Sequence, residues 1–237
     1  MKHKKFLPLL VVLMTFMGCD NFFMICSLNP FYMENKIVLE PKVEGSWMAK
    51  PLNASKDSAQ ANSEIWDKID TTSTWTIKQF IGKWVVKDKK GQDSTTYKPE
   101  NYYLAKLTRV TDSTIYEFKV VLFRVKSTLY ADFAPNNKDA LLRSKLASNS
   151  FMEVHTLARV SLINQQMKLS WLGADCMKEM IEKKRVRVNY HYVNEVKRLM
   201  LTASSEDLTK MIERYGDQPR FINWDEQWAK LELNHLN

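Results

Sequence analysis

The stretch from Thr114 to Pro135 limits the folding options of this chain more than any other. It reads T-I-Y-E-F-K-V-V-L-F-R-V-K-S-T-L-Y-A-D-F-A-P. One alternating row is Tyr116, Phe118, Val120 and Leu122. The other, Ile115, Glu117, Lys119, Val121 and Phe123, begins polar and turns apolar. Period-two alternation of aromatic and β-branched residues is a strand signal. Lys126, Ser127 and Thr128 interrupt the pattern, Leu129 to Phe133 resume it, and Pro135 and Asn136 close it. The reading is a long β-hairpin around which a compact domain has to wrap.

The same alternation recurs elsewhere. Val154–Ile163 and Gln165–Leu172 form a second hairpin about Asn164-Gln165. Ser73–Phe80, Lys83–Lys87 after Gly82, and Tyr102–Val110 read as further strands, the last with Tyr103, Ala105 and Leu107 on one face. Lys89 to Asp93 is a turn cluster. Arg198–Thr202 is a short strand, and Trp228–Leu233 a last, edge-type strand. Leu52–Asp70 reads as a long loop or a short helix, and Asn136–Ser148 as a loop with helical potential.

Two segments switch to helical spacing. Leu172, Cys176, Met177, Met180 and Ile181 predict an amphipathic helix over Gly173–Lys183. Leu208, Met211, Ile212 and Tyr215 predict another, opened by Ser204 with Asp207 three residues on and ended by Gly216. The first runs into Lys183, Lys184, Arg185 and Arg187. These cations suit a solvated helix C-terminus, and they also suit phosphate or anionic lipid.

With 237 residues, one domain is expected, and the length suffices for a core. A hydrophobic content of 45% against 26% charged residues excludes a disordered chain. The formal charge of +8 includes Lys2, Lys4 and Lys5 of the N-terminal leader. What remains reads as a solvated, mixed-charge surface, and no nucleic-acid partner is expected. Three cysteines, Cys19, Cys26 and Cys176, make neither a disulfide framework nor a CxxC metal motif. Cys176 reads as a buried apolar residue, and a Cys26–Cys176 pair is left open.

The first 18 residues have a signal-peptide pattern. Three lysines precede Phe6–Met17, an apolar run of h-region length that is short for a membrane span. Gly18-Cys19 then resembles the bacterial lipobox, at which the leader is cut before a cysteine whose sulfur carries diacylglycerol. Phe16 and Met17 depart from the Leu and small residue usual at those positions. An uncleaved anchor from Phe6 to about Cys26 would bury Asp20 and Asn21. The expected divisions are a signal peptide over 1–18, a lipid anchor and leader over 19–43, and one domain over 44–237. Cys19 is the lipidation site.

No catalytic signature stands out. Gly-x-Ser-x-Gly, His-Glu-x-x-His, a phosphate-cradling glycine loop and an EF-hand loop are all missing from the sequence. His155 reads as a structural histidine opposite the Val154 face, and His191 lies in the polar aromatic run Asn189-Tyr190-His191-Tyr192. A Cys176–His155 nucleophile pair is not favoured by spacing. No metal ligand set and no cofactor is expected, and the chain reads as a non-enzyme.

Gly45-Ser46-Trp47 resembles the Gly-x-Trp that opens the lipocalins, where the Trp closes one end of a β-barrel. More broadly, the chain resembles a family of uncharacterised bacterial lipoproteins with a lipocalin-like barrel. The similarity rests on Cys26-Ser27-Leu28-Asn29-Pro30-Phe31-Tyr32 through Gly45-Ser46-Trp47, and on Thr74-Trp75-Thr76. It continues through Leu122-Phe123-Arg124, Asp132-Phe133, Val154-His155-Thr156 and Leu201-Thr202-Ala203-Ser204. The stretch Asn53–Lys68 departs from the family pattern. The resemblance implies a membrane-anchored lipoprotein of the bacterial cell envelope and supplies no catalytic residues.

The expected fold is mainly β, an antiparallel lipocalin-like barrel of eight or nine strands with two helices packed outside. The leading expected function is a non-catalytic envelope lipoprotein that binds a small apolar ligand or lipid. Its site would be the inward row Tyr116, Phe118, Val120 and Leu122, with Trp75 and Tyr103 from earlier strands. The alternative is a structural or protein-interaction module whose barrel is filled with side chains. The volume left inside separates the two.

Overall fold

The computed structural model describes residues 24–49, 73–87, 93–108, 113, 115–136, 153–193, 198–218 and 230–235. The signal peptide, Cys19, the segment Leu52–Asp70 and most of Asn136–Ser148 lie outside the described residues. So does Trp228 at the expected start of the last strand.

The described chain is mainly β. Its strands are β1 (Cys26–Ser27), β2 (Gly45–Ala49), β3 (Thr74–Lys87), β4 (Asp93–Thr108), β5 (Ile115–Val125) and β6 (Thr128–Pro135). They continue as β7 (His155–Ile163), β8 (Gln166–Trp171), β9 (Tyr190–Val193), β10 (Arg198–Leu201) and β11 (Lys230–His235). Two helices are described, α1 (Ala174–Glu182) and α2 (Ser205–Tyr215), with short 3-10 turns at Glu34–Lys36 and Pro41–Val43. Among the described residues no helix is long and apolar enough to cross a membrane.

The strands pair in the order β6-β5-β4-β3-β2-β11-β8-β7-β1-β10-β9, all antiparallel except β1 with β10. β6 also pairs with β7, from Leu129 opposite Val160 to Phe133 opposite Thr156. Eight strands, β2 to β8 and β11, therefore each have a hydrogen-bonded strand on both sides. β1, β10 and β9 extend outward from the start of β7.

Local chemistry explains the turns. The β5–β6 hairpin reverses at Lys126-Ser127 and the β7–β8 hairpin at Asn164-Gln165. Lys126 and Asn164 take φ of 54° and 55°, as tight hairpin turns require. Gly45 has φ 135°, which a side chain rarely tolerates, so glycine at the start of the Gly-x-Trp is a backbone requirement. Ser204 caps α2, its Oγ accepting from the Asp207 N–H at 3.2 Å.

Two cores share the sheet. The first gathers Trp47, Trp75, Ile77, Tyr103, Ala105, Leu107, Val120, Leu122, Ala131, Phe133, Val160, Leu169 and Trp171. The second lies on the other face of β5, β6 and β7. There Phe123, Val125, Tyr130 and Leu157 meet Cys176, Met177 and Met180 of α1 and Leu208, Met211 and Ile212 of α2. This second layer explains why the odd row of β5 turns apolar: its C-terminal half is covered by helices. Cys26 and Cys176 are both buried, and no disulfide joins them.

Three expectations are corrected. Ser73–Phe80 and Lys83–Lys87 are one continuous strand, β3, with a register shift between Gln79 and Ile81 in place of a break. β4 begins at Asp93 rather than Tyr102. β11 is no edge strand, because it lies between β8 and β2.

Candidate functional site

The expected ligand row divides along its length. Val120 and Leu122 are buried in the first core with Trp75 and Tyr103. Phe118 is only half-buried and packs against that core, and Tyr116 is exposed at the start of β5. The row thus points toward one core at its C-terminal half and leaves it at its N-terminal end.

The first core is closed off by named contacts. At one end Trp75, Phe118, Phe133 and Trp171 form a chain of rings with centroids 6.1, 6.2 and 5.8 Å apart. At the other, the leader seals the strands. The Val38 N–H donates to Leu122 O at 2.9 Å, the Glu40 N–H to Tyr103 Oη at 2.8 Å, and Trp47 Nε1 to Val43 O at 3.0 Å. Burial raises the Tyr103 pKa, so the phenol stays neutral and accepts that bond. Between the two ends lies a void of about 20 Å³, lined by Ile77, Tyr103, Val120, Leu122 and Phe133 among others. That holds about one water, against several hundred Å³ for a ligand pocket. The Trp75 indole N–H is buried with no partner among the described residues.

A buried polar cluster ties the leader to the sheet. Asp132 on β6 and His155 on β7 lie on the face turned toward α2, His155 Nδ1 standing 2.7 Å from Asp132 Oδ1. The Phe31 N–H donates to the other carboxylate oxygen at 2.8 Å, and Phe31 O accepts from Thr209 Oγ1 of α2 at 3.2 Å. Beside it the Tyr32 hydroxyl is raised to about 12, by burial first and then by the negative charges of Asp132, Glu153 and Glu34. Cys176 Sγ contacts Met180 Sδ at 3.7 Å, and Cys26 Sγ contacts Met24 O at 4.0 Å. Among the described residues no three His, Cys, Asp or Glu side chains gather as metal ligands. The arrangement works as a clasp holding residues 31–32 onto β6, β7 and α2.

The feature that sequence reasoning missed is an arm. β2 pairs with β3 only through Ile77, and β5 reaches β4 only from Tyr103 onward. Beyond those points β3 and β4 pair with each other alone, from Ile81 opposite Pro99 to Lys87 opposite Asp93. The ribbon leaves the sheet at the register shift. There the Gln79 N–H donates to Glu44 Oε2 at 3.2 Å and its side-chain amide to Glu100 O at 3.0 Å. Phe80 stacks on Tyr102 at 4.9 Å, with Lys119 Nζ 5.0 Å above the Tyr102 ring.

The arm is rich in exposed apolar residues. Ile81 is 59% exposed, Trp84 52%, Val85 60% and Tyr97 66%. Alternation places Ile81, Val85, Tyr97 and Pro99 on one face and Trp84 on the other. Trp84 Nε1 donates to Glu100 Oε1 at 3.1 Å, and both side chains lie over Gly82, where a Cβ would stand 2.5 Å from that oxygen. The period-two run across Gly82 was the available signal, and the residues on its two sides were read as separate strands.

No protein-family model matches the chain, and no curated protein or solved structure matches it significantly either.

Proposed function

We propose that the protein is a non-catalytic, lipid-anchored protein of the bacterial cell envelope whose eight mutually paired strands form a lipocalin-like barrel. In this reading the barrel is filled with its own side chains and serves as a rigid base that presents the β3–β4 arm to a protein partner. The pairing of β6 with β7 supports closure, because it gives every one of the eight strands two neighbours.

The observation that carries the function is the arm. An isolated two-stranded ribbon is marginally stable in water. This one exposes four large apolar side chains and leaves both backbone edges without a neighbouring strand among the described residues. Such an edge is a template for strand addition, and exposed aromatic residues are favoured anchors of protein interfaces. The filled core favours this reading over a carrier of a small apolar ligand.

The position of the leader agrees with an anchor. Met24 bridges to Gly173 just past the end of β8, near the ring chain that closes the first core. The arm leaves from the opposite end, where the turns Lys126-Ser127 and Asn164-Gln165 also lie. Cys19 is five residues before Met24, a reach of at most ~17 Å. An acylated Cys19 would hold one end near the bilayer and leave the arm facing the aqueous side.

Two measurements test this. Intact mass of the wild type should show cleavage before Cys19 with added acyl mass, and Cys19→Ser should leave a longer precursor. Wild type that keeps Met1 without acyl mass refutes the anchor. A photo-crosslinker at Val85 or Tyr97 should capture one envelope protein, and a Val85→Lys/Tyr97→Lys variant with unchanged stability should compete poorly for it. Cross-links confined to the protein's own chain refute the arm reading. Binding of a fluorescent fatty-acid analogue at tens of micromolar, about 6 kcal/mol, would restore the carrier.

A further inference from the structure

We infer that the groove between residues 184–190 and α2 seats the anionic headgroups of the bilayer to which the chain is tethered. The inference rests on the lipid-anchor reading above. Two adjoining depressions, of about 490 and 570 Å³, share Lys184, Arg187 and Asp207 in their walls. Arg185, Lys210 and Arg214 line the first as well, so five cations face one carboxylate.

The chain carrying Lys184, Arg185 and Arg187 is held in place, and these three cations are not neutralised. After α1 the chain turns at Lys184, with φ 53°. The Arg185 N–H donates to Met180 O at 2.8 Å, and buried Val186 pegs the segment into the second core. Lys183 pairs with Glu179 and Lys210 with Glu206, at the rim. Among the described residues Lys184, Arg185 and Arg187 have no carboxylate within ion-pair distance. Asp207, the acid in the groove, already accepts from Ser204 Oγ at 2.8 Å.

Two further observations favour a lipid surface over a free phosphate. Tyr190 lines the second depression, and it stands with Tyr192 as an exposed pair on β9, ring centroids 5.7 Å apart. Tyrosines beside cations suit the lipid–water interface. The second depression also lies near the tether. Met24 is bridged to Gly173, the N-cap of α1. The nine-residue helix carries the chain only ~14 Å before the cations begin. β9 is two strands from β1, roughly 10 Å away.

Trypsin reads this groove directly, because it cuts after Lys184, Arg185 and Arg187. Full-length chain would be reconstituted through its leader into phosphatidylcholine vesicles, with or without about 30 mol% phosphatidylglycerol. The anionic vesicles should slow cleavage after these three residues at least about five-fold at low salt, and high salt should remove the effect. Lys210→Glu/Arg214→Glu leaves the cut sites in place and should abolish the protection, its fold being checked by an unchanged denaturation midpoint. Equal cleavage in both vesicles overturns the inference. Inorganic phosphate giving the same protection in neutral vesicles overturns the lipid assignment in favour of a free-anion site. Chain that fails to stay with neutral vesicles refutes the anchor separately. The groove is then judged by recruitment to anionic vesicles: loss of recruitment in the double variant keeps it, and no recruitment of wild type sinks it.

Discussion

Replacing Leu122 by Ala measures how completely the first core is filled. Leu122 is buried and lines the void of about 20 Å³ between Tyr103, Val120 and Phe133. A buried Leu→Ala change costs ~2.7 to 5 kcal/mol, rising by ~24 cal/mol for each Å³ of cavity that survives. The walls here have little freedom to collapse. The residue opposite Leu122 on β6 is Ala131, which is too small to move in, and on its other side the Leu122 carbonyl is held by the Val38 N–H of the leader. The void of about 20 Å³ already costs ~0.5 kcal/mol on the same scale and would merge with the new one. The expected loss is therefore in the upper half of the range, about 4 kcal/mol. Urea denaturation of the wild type and the variant gives it from the two midpoints at a common slope. Glu117→Ala, on the exposed part of the same strand, should stay within ~0.5 kcal/mol and controls for strand propensity. A loss under ~1.5 kcal/mol for Leu122→Ala would mean that the core relaxes freely or that Leu122 is not in it, and the reading of a filled core would fall.

Asp132→Ala leaves the Phe31 N–H and His155 without their shared acceptor. At ~1–3 kcal/mol per orphaned group it should cost about 2–6 kcal/mol in denaturation, and Asp132→Asn, which keeps an acceptor oxygen, should cost less. Tyr32 ionises near 10 when unfolded and at about 12 in the fold. A raised acid contributes stability that is whole below pH 10 and is lost as the pH climbs through about 12. Wild type should therefore lose more stability than Tyr32→Phe across that window, and parallel midpoint curves would refute the coupling. Gly82→Ala must displace Glu100 Oε1, the end of a flexible side chain, and with it the partner of Trp84 Nε1. Its midpoint should move by less than ~1 kcal/mol while partner cross-linking through the arm falls.

What the sequence made legible is what local periodicity encodes. The two hairpins, the stripes of α1 and α2 and the Ser204 cap all follow from spacing and turn chemistry within a few residues. The second core was half visible, because the odd row of β5 changes from Glu117 and Lys119 to Val121 and Phe123. That change reports a cover beginning midway along the strand. The position of β11 was not legible, because it depends on pairing with strands far away in the chain. The arm was hidden for a related reason. What sets Ile81 and Val85 apart from Trp75 and Ile77 is where β2 and β5 stop pairing, which nothing in β3 itself records. Whether the core is hollow or filled was also out of reach, since the answer depends on how side chains from eight strands share one volume.

The filled core and the exposed arm belong to one argument. A ribbon with four large apolar side chains in water weakens the folded state unless something rigid holds its base. Here the base is fixed on three sides: Glu44 from β2's approach bonds Gln79, Phe80 stacks on Tyr102, and Lys119 of β5 covers that ring. Those residues are in turn set by the first core, in which Ile77, Tyr103 and Val120 stand one or two positions further along the same strands. A ligand-sized cavity at that point would loosen the footing of the arm, whereas close-packed side chains compress little and hold one geometry. A partner meeting a preset arm avoids much of the ordering cost that a flexible one would impose. Hollowing the core with Leu122→Ala should then weaken arm-dependent cross-linking even though Leu122 is not part of the arm. An unchanged cross-link in a folded Leu122→Ala variant would separate the two features and leave the filled core as a matter of stability alone.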